Sequence, residues 1–110
     1  MVYTEKEIEL TLKLYSIAKV KKQDYKYQLS GIKRNDDLLK DDFFYYEHIV
    51  ITVERWLTYL LTYEKELIKL RFFENYTSDY VSILLGYSSH SSIVKNCRKV
   101  IKKIKKKETK

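Results

Sequence analysis

The amino-acid sequence predicts an all-α fold of about five helices, in which a C-terminal helix-turn-helix follows two longer helices. The 110 residues include no proline and only two glycines, so few residues interrupt helices. Apolar residues make up 45% of the chain, which is enough for a buried core. They recur at three- and four-residue intervals, the spacing of amphipathic helices.

The first predicted helix begins with a capping box. Thr4 and Glu7 have the required spacing, since the hydroxyl can accept the Glu7 amide while the carboxylate accepts the Thr4 amide. Ile8 and Leu12 follow at helical spacing. We expect this helix to run from about residue 5 to 28 and to end at Ser30-Gly31, because glycine adopts the left-handed cap conformation easily.

A charged connector over residues 31–41 should lead into the second helix, which has an N-cap candidate in either Asp36 or Asp42. The β-branched stretch from Ile49 to Val53 would also suit a strand. No partner strand is visible in the sequence, so we predict helix. Its wide apolar face should pack against other helices or a second subunit. That face comprises Phe43, Phe44, Tyr46, Ile49, Val50, Val53, Trp56, Leu57, Leu60 and Leu61.

The third helix should start after Thr62, where Glu64 and Glu66 complement the helix dipole, and Asn75 can cap its end. Its inward residues are expected to be Leu67, Ile68, Leu70 and Phe72. A short fourth helix should open at Thr77, or at Ser78 or Asp79 after it. It carries the apolar residues Val81, Leu84 and Leu85.

Gly86 should stop the fourth helix, and Ser88 or Ser89 should cap a fifth helix that runs to about Lys106. Ser82 is small enough for two helices to cross closely. One face of the fifth helix is apolar and should pack on the core. Its members are Ile93, Cys97, Val100 or Ile101, and Ile104. A short helix, a glycine turn and a basic helix form the layout of a helix-turn-helix.

Positive charge is concentrated at the C-terminal end of the chain. The net charge is +7, but residues 95–110 alone carry +8 and the remaining chain −1. Such segregation predicts an anionic partner. The alternative is a solvated tail that only aids solubility.

Several function classes are disfavoured by what the sequence contains. No basic-then-apolar signal peptide and no membrane-spanning apolar run is present. The lone Cys97 fits a reducing cytoplasm and should be a small buried hydrophobe. No catalytic constellation, phosphate loop or zinc spacing appears, which predicts a non-enzyme without metal or cofactor. We interpret Asp36-Asp37 and Asp41-Asp42 as solvated helix caps and His48 as a surface or interface residue.

Residues 61–104 resemble sigma-factor region 4 and the phage late-operon regulators of the ArpU and RinA type. The matching stretch is LTYEKELIKLRFFENYTSDYVSILLGYSSHSSIVKNCRKVIKKI. The shared features are a helix with an acidic start and a Leu-Ile-x-Leu-Arg core, a short helix, a glycine turn and a serine-capped basic helix. The resemblance implies a phage-borne, DNA-binding transcription regulator in the cytoplasm of a bacterial host. The turn at residues 86–91 also resembles that of AraC-type regulators, but those carry two such motifs and this chain has room for one.

This interpretation divides the chain into residues 1–60, a helical region for dimerisation or partner binding, and residues 61–107, the helix-turn-helix DNA-binding region. Ser89 would cap the recognition helix. Lys95 could bind guanine and Asn96 adenine in the major groove. The residues near the base edges would be His90, Ser91, Ser92, Lys95 and Asn96. The residues that hold phosphates would be Arg98, Lys99, Lys102 and Lys103.

The expected partners are double-stranded DNA, a second copy of the chain in a homodimer, and RNA polymerase, with no membrane. Tyr80 and Tyr87 are further candidates for phosphate contacts. Two alternatives remain open at this point. One is a small terminase subunit that binds DNA as a ring. The other is a phage protein that binds and inhibits a host nucleic-acid enzyme, as anti-CRISPR proteins do.

Overall fold

A computed structural model describes residues 3–31 and 37–109. These residues form five α-helices and no strand, which confirms the predicted all-α fold. The helices are α1 (Glu5–Gly31), α2 (Asp37–Leu57), α3 (Thr62–Ile68), α4 (Ser78–Leu85) and α5 (His90–Glu108). None of the described helices is both long enough and apolar enough to cross a lipid bilayer.

The capping box at the start of α1 is formed as predicted. The Thr4 amide donates to Glu7 Oε1 over 2.9 Å, and the Glu7 amide donates to Thr4 Oγ1 over 3.1 Å. Hydrogen bonding from the Thr4 amide, and secondly from the Thr4 side chain, lowers the pKa of Glu7 because it stabilises the carboxylate. The helix continues to Gly31, three residues beyond its predicted end.

α2 begins at Asp37, within the predicted connector and one residue after Asp36, the earlier of its two predicted starts. Asp42 therefore lies inside the helix, and the other predicted cap, Asp36, lies outside the described residues. Leucine and lysine at positions 38–40 favour helix, and the acidic residues that follow complement the positive N-terminal dipole. The β-branched stretch at residues 49–53 is helical, as predicted.

The third helix changes its pitch before it ends. It begins at Thr62, where Glu64 Oε1 accepts the Leu61 amide over 2.8 Å, and it continues as a wider π-helical turn over Lys69–Phe73. Asn75 then adopts a left-handed conformation with φ of 58°, which agrees with its predicted place at the helix end.

One hydrophobic core joins all five helices. α1 packs along α2 in antiparallel fashion, since Tyr3 lies against Trp56 and Tyr25 stacks on Tyr46. α1 also contacts α5 and the π-helical turn. The predicted boundary at residue 60 falls in the turn between α2 and α3, but buried residues from Ile8 to Ile104 form a single cluster across it. The two predicted regions therefore share one core.

Candidate nucleic-acid interface

A four-residue turn joins α4 to α5. Thr77 caps α4, as predicted, because its hydroxyl accepts the Tyr80 amide over 3.2 Å. Gly86 ends α4 in a left-handed conformation with φ of 74°, and the Tyr87 amide donates back to the Ser82 carbonyl over 2.9 Å. These bonds satisfy carbonyls at the end of α4. The first two residues of the turn are therefore held against the end of α4 by hydrogen bonds.

The inner face of α5 anchors the helix in the core. The predicted residues on this face are all buried: Ile93, Cys97, Val100, Ile101 and Ile104. Burial raises the pKa of the Cys97 thiol to about 11, so the side chain stays a neutral thiol and packs as a small apolar group. Since this face is occupied, only the opposite face of α5 is available to a partner.

The outer face of α5 carries a row of exposed cations, which we call the basic stripe. Its members are Lys95, Arg98, Lys99, Lys102 and Lys106. At 100° per residue all five point away from the buried face, and Lys95 to Lys106 span about 17 Å of helix. None of them forms an ion pair with any residue that the structure describes. The stripe is thus a concentrated field of uncompensated positive charge.

Lys103 lies outside the basic stripe and forms an ion pair within the protein. Its Nζ donates to Glu64 Oε1 over 2.8 Å and ties α5 to α3. Burial of Glu64 opposes its charged form, but the Leu61 amide and Lys103 outweigh burial and lower its pKa. A carboxylate already neutralises Lys103, so this ammonium contributes little to the field that a phosphate would meet.

The start of α5 differs from the prediction in one respect. Ser89 occupies the N-cap position, but its side chain caps no amide of the helix. His90 Nδ1 lies 3.3 Å from the Asp79 carboxylate, and both side chains are exposed. Ser91 is exposed beside the basic stripe, while Ser92 and Asn96 are half-buried at its edge. Of the predicted base-reading residues, His90, Ser91 and Lys95 are exposed, and His90 already lies against Asp79.

The outer face of α4 is apolar. Tyr80, Ile83 and Leu84 are exposed, with Ile83 at 76%. Tyr76 packs edge-on against Tyr80, with ring centroids 5.0 Å apart, and extends this surface. Tyr87 is half-buried against the core, so Tyr80 is the more accessible of the two predicted phosphate contacts. An exposed apolar cluster beside a basic helix offers a surface for a protein partner.

A carboxylate clasp holds the far end of α5. Glu108 accepts hydrogen bonds from the Arg55 guanidinium and from the Tyr59 hydroxyl, the latter over 2.6 Å. Hydrogen bonding from Arg55 is the main cause that lowers the pKa of Glu108 to about 2, and Tyr59 and the indole of Trp56 lower it further. Burial of the carboxylate acts in the opposite direction. The indole nitrogen is close enough to lower the pKa but makes no hydrogen bond of regular geometry. The clasp fixes the end of α5 against α2.

The prediction of site residues omitted one cation of the basic stripe. Lys106 lies four residues after Lys102 and so shares its face. The helical spacing would have identified it, but the predicted set of phosphate contacts ended at Lys103. Among the described residues, no group of histidine, cysteine and acidic side chains could hold a metal ion.

Comparisons of the chain with protein-family models, with curated proteins and with solved structures gave no match.

Proposed function

We propose that the protein is a sequence-specific transcription regulator that binds double-stranded DNA and places α5 in the major groove. The observation that carries the proposal is the basic stripe. Five exposed cations that form no ion pair with a described residue lie along one face of a helix whose opposite face is buried in the core. The resemblance of residues 61–104 to sigma-factor region 4 and to phage late-operon regulators supports transcription control.

The dimensions suit this role. A major groove about 12 Å wide admits an α-helix, and the N-terminal part of a recognition helix reaches the base edges. Ser91 and Lys95 occupy that part of α5, so they are the proposed base contacts. Arg98, Lys99 and Lys102 lie further along and would contact phosphates, which set affinity and orientation. Lys106 would add a phosphate contact at the far end.

A salt series tests the proposal directly. We expect wild-type protein to bind a fluorescein-labelled duplex with a log–log salt slope of about −3.6, because the four proposed phosphate contacts contribute roughly −0.9 each. The Lys95→Gln/Lys99→Gln variant should flatten the slope to about −2.7. Both side chains are exposed, so the variant should keep its helical content. Selection from a random duplex pool would then test specificity, since Lys95→Ala should lose preference at one base.

The matched control removes the same charge elsewhere. Lys21 and Lys26 are exposed on α1, outside the basic stripe. The Lys21→Gln/Lys26→Gln variant should therefore leave the salt slope close to that of wild type. An equal loss in both variants would show that only net charge matters. No duplex binding at low salt would refute the proposal.

A second candidate function is binding and inhibition of a host nucleic-acid enzyme. The observation that favours it is the exposed apolar face of α4, because a surface that only contacts phosphates has no need of Ile83 or Leu84. In this case Ile83→Ser/Leu84→Ser should abolish inhibition of the target enzyme. The same variant should leave duplex binding unchanged if α5 alone contacts DNA.

A further inference from the structure

The outward face of α1 carries large apolar side chains in a regular pattern. Leu10, Ile17, Val20 and Tyr27 are all more than half exposed. Their spacing of seven, three and seven residues is that of the a and d positions of successive heptads. The opposite face of α1 is buried in the core. No part of the chain that the structure describes packs over the exposed row.

The two remaining positions of this pattern hold opposite charges. Lys13 is the d residue between Leu10 and Ile17, and Asp24 is the a residue between Val20 and Tyr27. Both are exposed. Lys13 lies 3.4 Å from Glu9 on the same helix, but both side chains are about half exposed, so that ion pair is weak and exchanges readily.

We propose that α1 pairs in antiparallel orientation with α1 of a second copy of the chain, about a two-fold axis between Ile17 and Val20. In an antiparallel pair each a residue faces a d residue of the other helix. Centred there, Leu10 faces Tyr27, Ile17 faces Val20 and Lys13 faces Asp24. The first two of these layers are apolar and the third joins opposite charges. The two-fold axis repeats each layer.

The charges select this orientation over the parallel one. A parallel pair would place Lys13 against its own copy and Asp24 against its own copy, and like charges in a helix interface are destabilising. The antiparallel pair converts the same four charges into two ion pairs.

The surface of α1 also has a shape that suits such packing. A shallow hollow is lined by Lys19, Val20, Gln23, Asp24 and Tyr27. Residues at positions i, i+3, i+4 and i+7 form the four-residue hole into which a coiled-coil side chain inserts. The paired segment, residues 10–27, is about 26 Å long. One pair of such helices buries less than a standard interface of about 1,600 Å², so we expect a dimer with a dissociation constant in the micromolar range.

Cysteine cross-linking tests the orientation. In a Cys97→Ala background, Leu10→Cys and Tyr27→Cys proteins are prepared separately and then mixed under mild oxidation. The mixture should give a disulfide-linked dimer containing one chain of each kind, identified by mass spectrometry. Each protein alone should stay monomeric on a non-reducing gel, because its cysteine and the copy of that cysteine are about 26 Å apart. Disulfide-linked dimers of each protein alone, with no dimer of one chain of each kind in the mixture, would show parallel pairing and overturn the proposal.

Charge reversal tests the ion pairs by sedimentation equilibrium. Lys13→Glu and Asp24→Lys should each weaken dimerisation at least tenfold, because each places like charges in both layers formed by residues 13 and 24. The double variant Lys13→Glu/Asp24→Lys should return to within about threefold of wild type, since it restores both pairs with reversed sign. A wild-type mass that stays at the 13.4 kDa of one chain at high micromolar concentration would refute the dimer. Single variants that dimerise like wild type would refute the proposed layers.

Discussion

Replacing Glu108 by glutamine should destabilise the protein in a pH-dependent manner. The side chain of Glu108 is only 10% exposed, and it accepts hydrogen bonds from Arg55 and Tyr59. Glutamine keeps the size of the side chain but removes its charge. The variant therefore isolates the electrostatic part of the clasp from its packing.

The shift in the pKa of Glu108 sets an upper limit on the effect. The pKa falls from the ordinary 4.5 to about 2. At about 1.4 kcal/mol per pH unit the shift corresponds to roughly 3 kcal/mol. The side chain of Arg55 is 44% exposed, so water screens part of this interaction. We therefore expect Glu108→Gln to lower the free energy of unfolding by about 1–2 kcal/mol near neutral pH.

The sign of the pH dependence follows from the direction of the shift. A carboxyl group whose pKa is lower in the folded state stabilises that state above its unfolded pKa. The contribution of Glu108 is complete above about pH 4.5 and is lost as the pH falls toward 2. The difference in the free energy of unfolding between wild type and variant should shrink over this window. The other acidic groups titrate in both proteins, so their contributions cancel in this difference.

Urea unfolding followed by far-ultraviolet circular dichroism measures this difference at a series of pH values. Glu66→Gln is the matched control, because Glu66 is exposed on α3 and forms no ion pair within the described residues. It should change stability by less than about 0.5 kcal/mol. A Glu108→Gln effect no larger than that of the control, or one that persists unchanged at pH 2, would refute the role assigned to the clasp.

Two further substitutions test the elements that position α5. Lys103→Gln should lower the free energy of unfolding by about 1–2 kcal/mol, because Glu64 loses a short charged hydrogen bond. The same variant should leave the salt slope of duplex binding unchanged. A flatter slope would show that Lys103 contacts DNA. Gly86→Ala should lower the free energy of unfolding by about 1 kcal/mol, because an added Cβ meets no atom within 4 Å and only the positive φ is unfavourable. Gly86→Asn should lower it less, because asparagine tolerates a positive φ better than alanine does. Equal losses in the two variants, measured by urea or thermal unfolding, would argue against backbone strain as the cause.

The features that depend on local sequence could be predicted. The capping box at Thr4 and Glu7, the glycine stop at Gly86 and the buried face of α5 each involve residues a few positions apart. Over such distances the helical repeat determines which side chains are neighbours. The existence of α2 was predicted for the same reason, and its start at Asp37 agrees with the earlier of the two predicted starts.

The sorting of the C-terminal cations could not be predicted. Lys103 pairs with Glu64, which is 39 residues away, and Glu108 pairs with Arg55, which is 53 residues away. The helical repeat places Lys102 opposite the buried face of α5 and Lys103 nearer its edge, but it does not show that Lys103 pairs with Glu64. Only the tertiary contacts of α5 with α2 and α3 show which charges are compensated. The helix that carries the candidate site could thus be predicted from the sequence, but only the tertiary structure shows which of its charges are unpaired.

The single core has a consequence for synthesis of the protein on the ribosome. Ile8 and Leu12, near the start of α1, lie in the same cluster as Ile101 and Ile104 of α5. A domain with its contacts confined to one half of the chain could complete its fold while the rest was still being translated. Here α1 and α2 can pair early, but the core cannot close until α5 has left the ribosome. Until then the apolar surface destined for α5 remains open to chaperones and to aggregation.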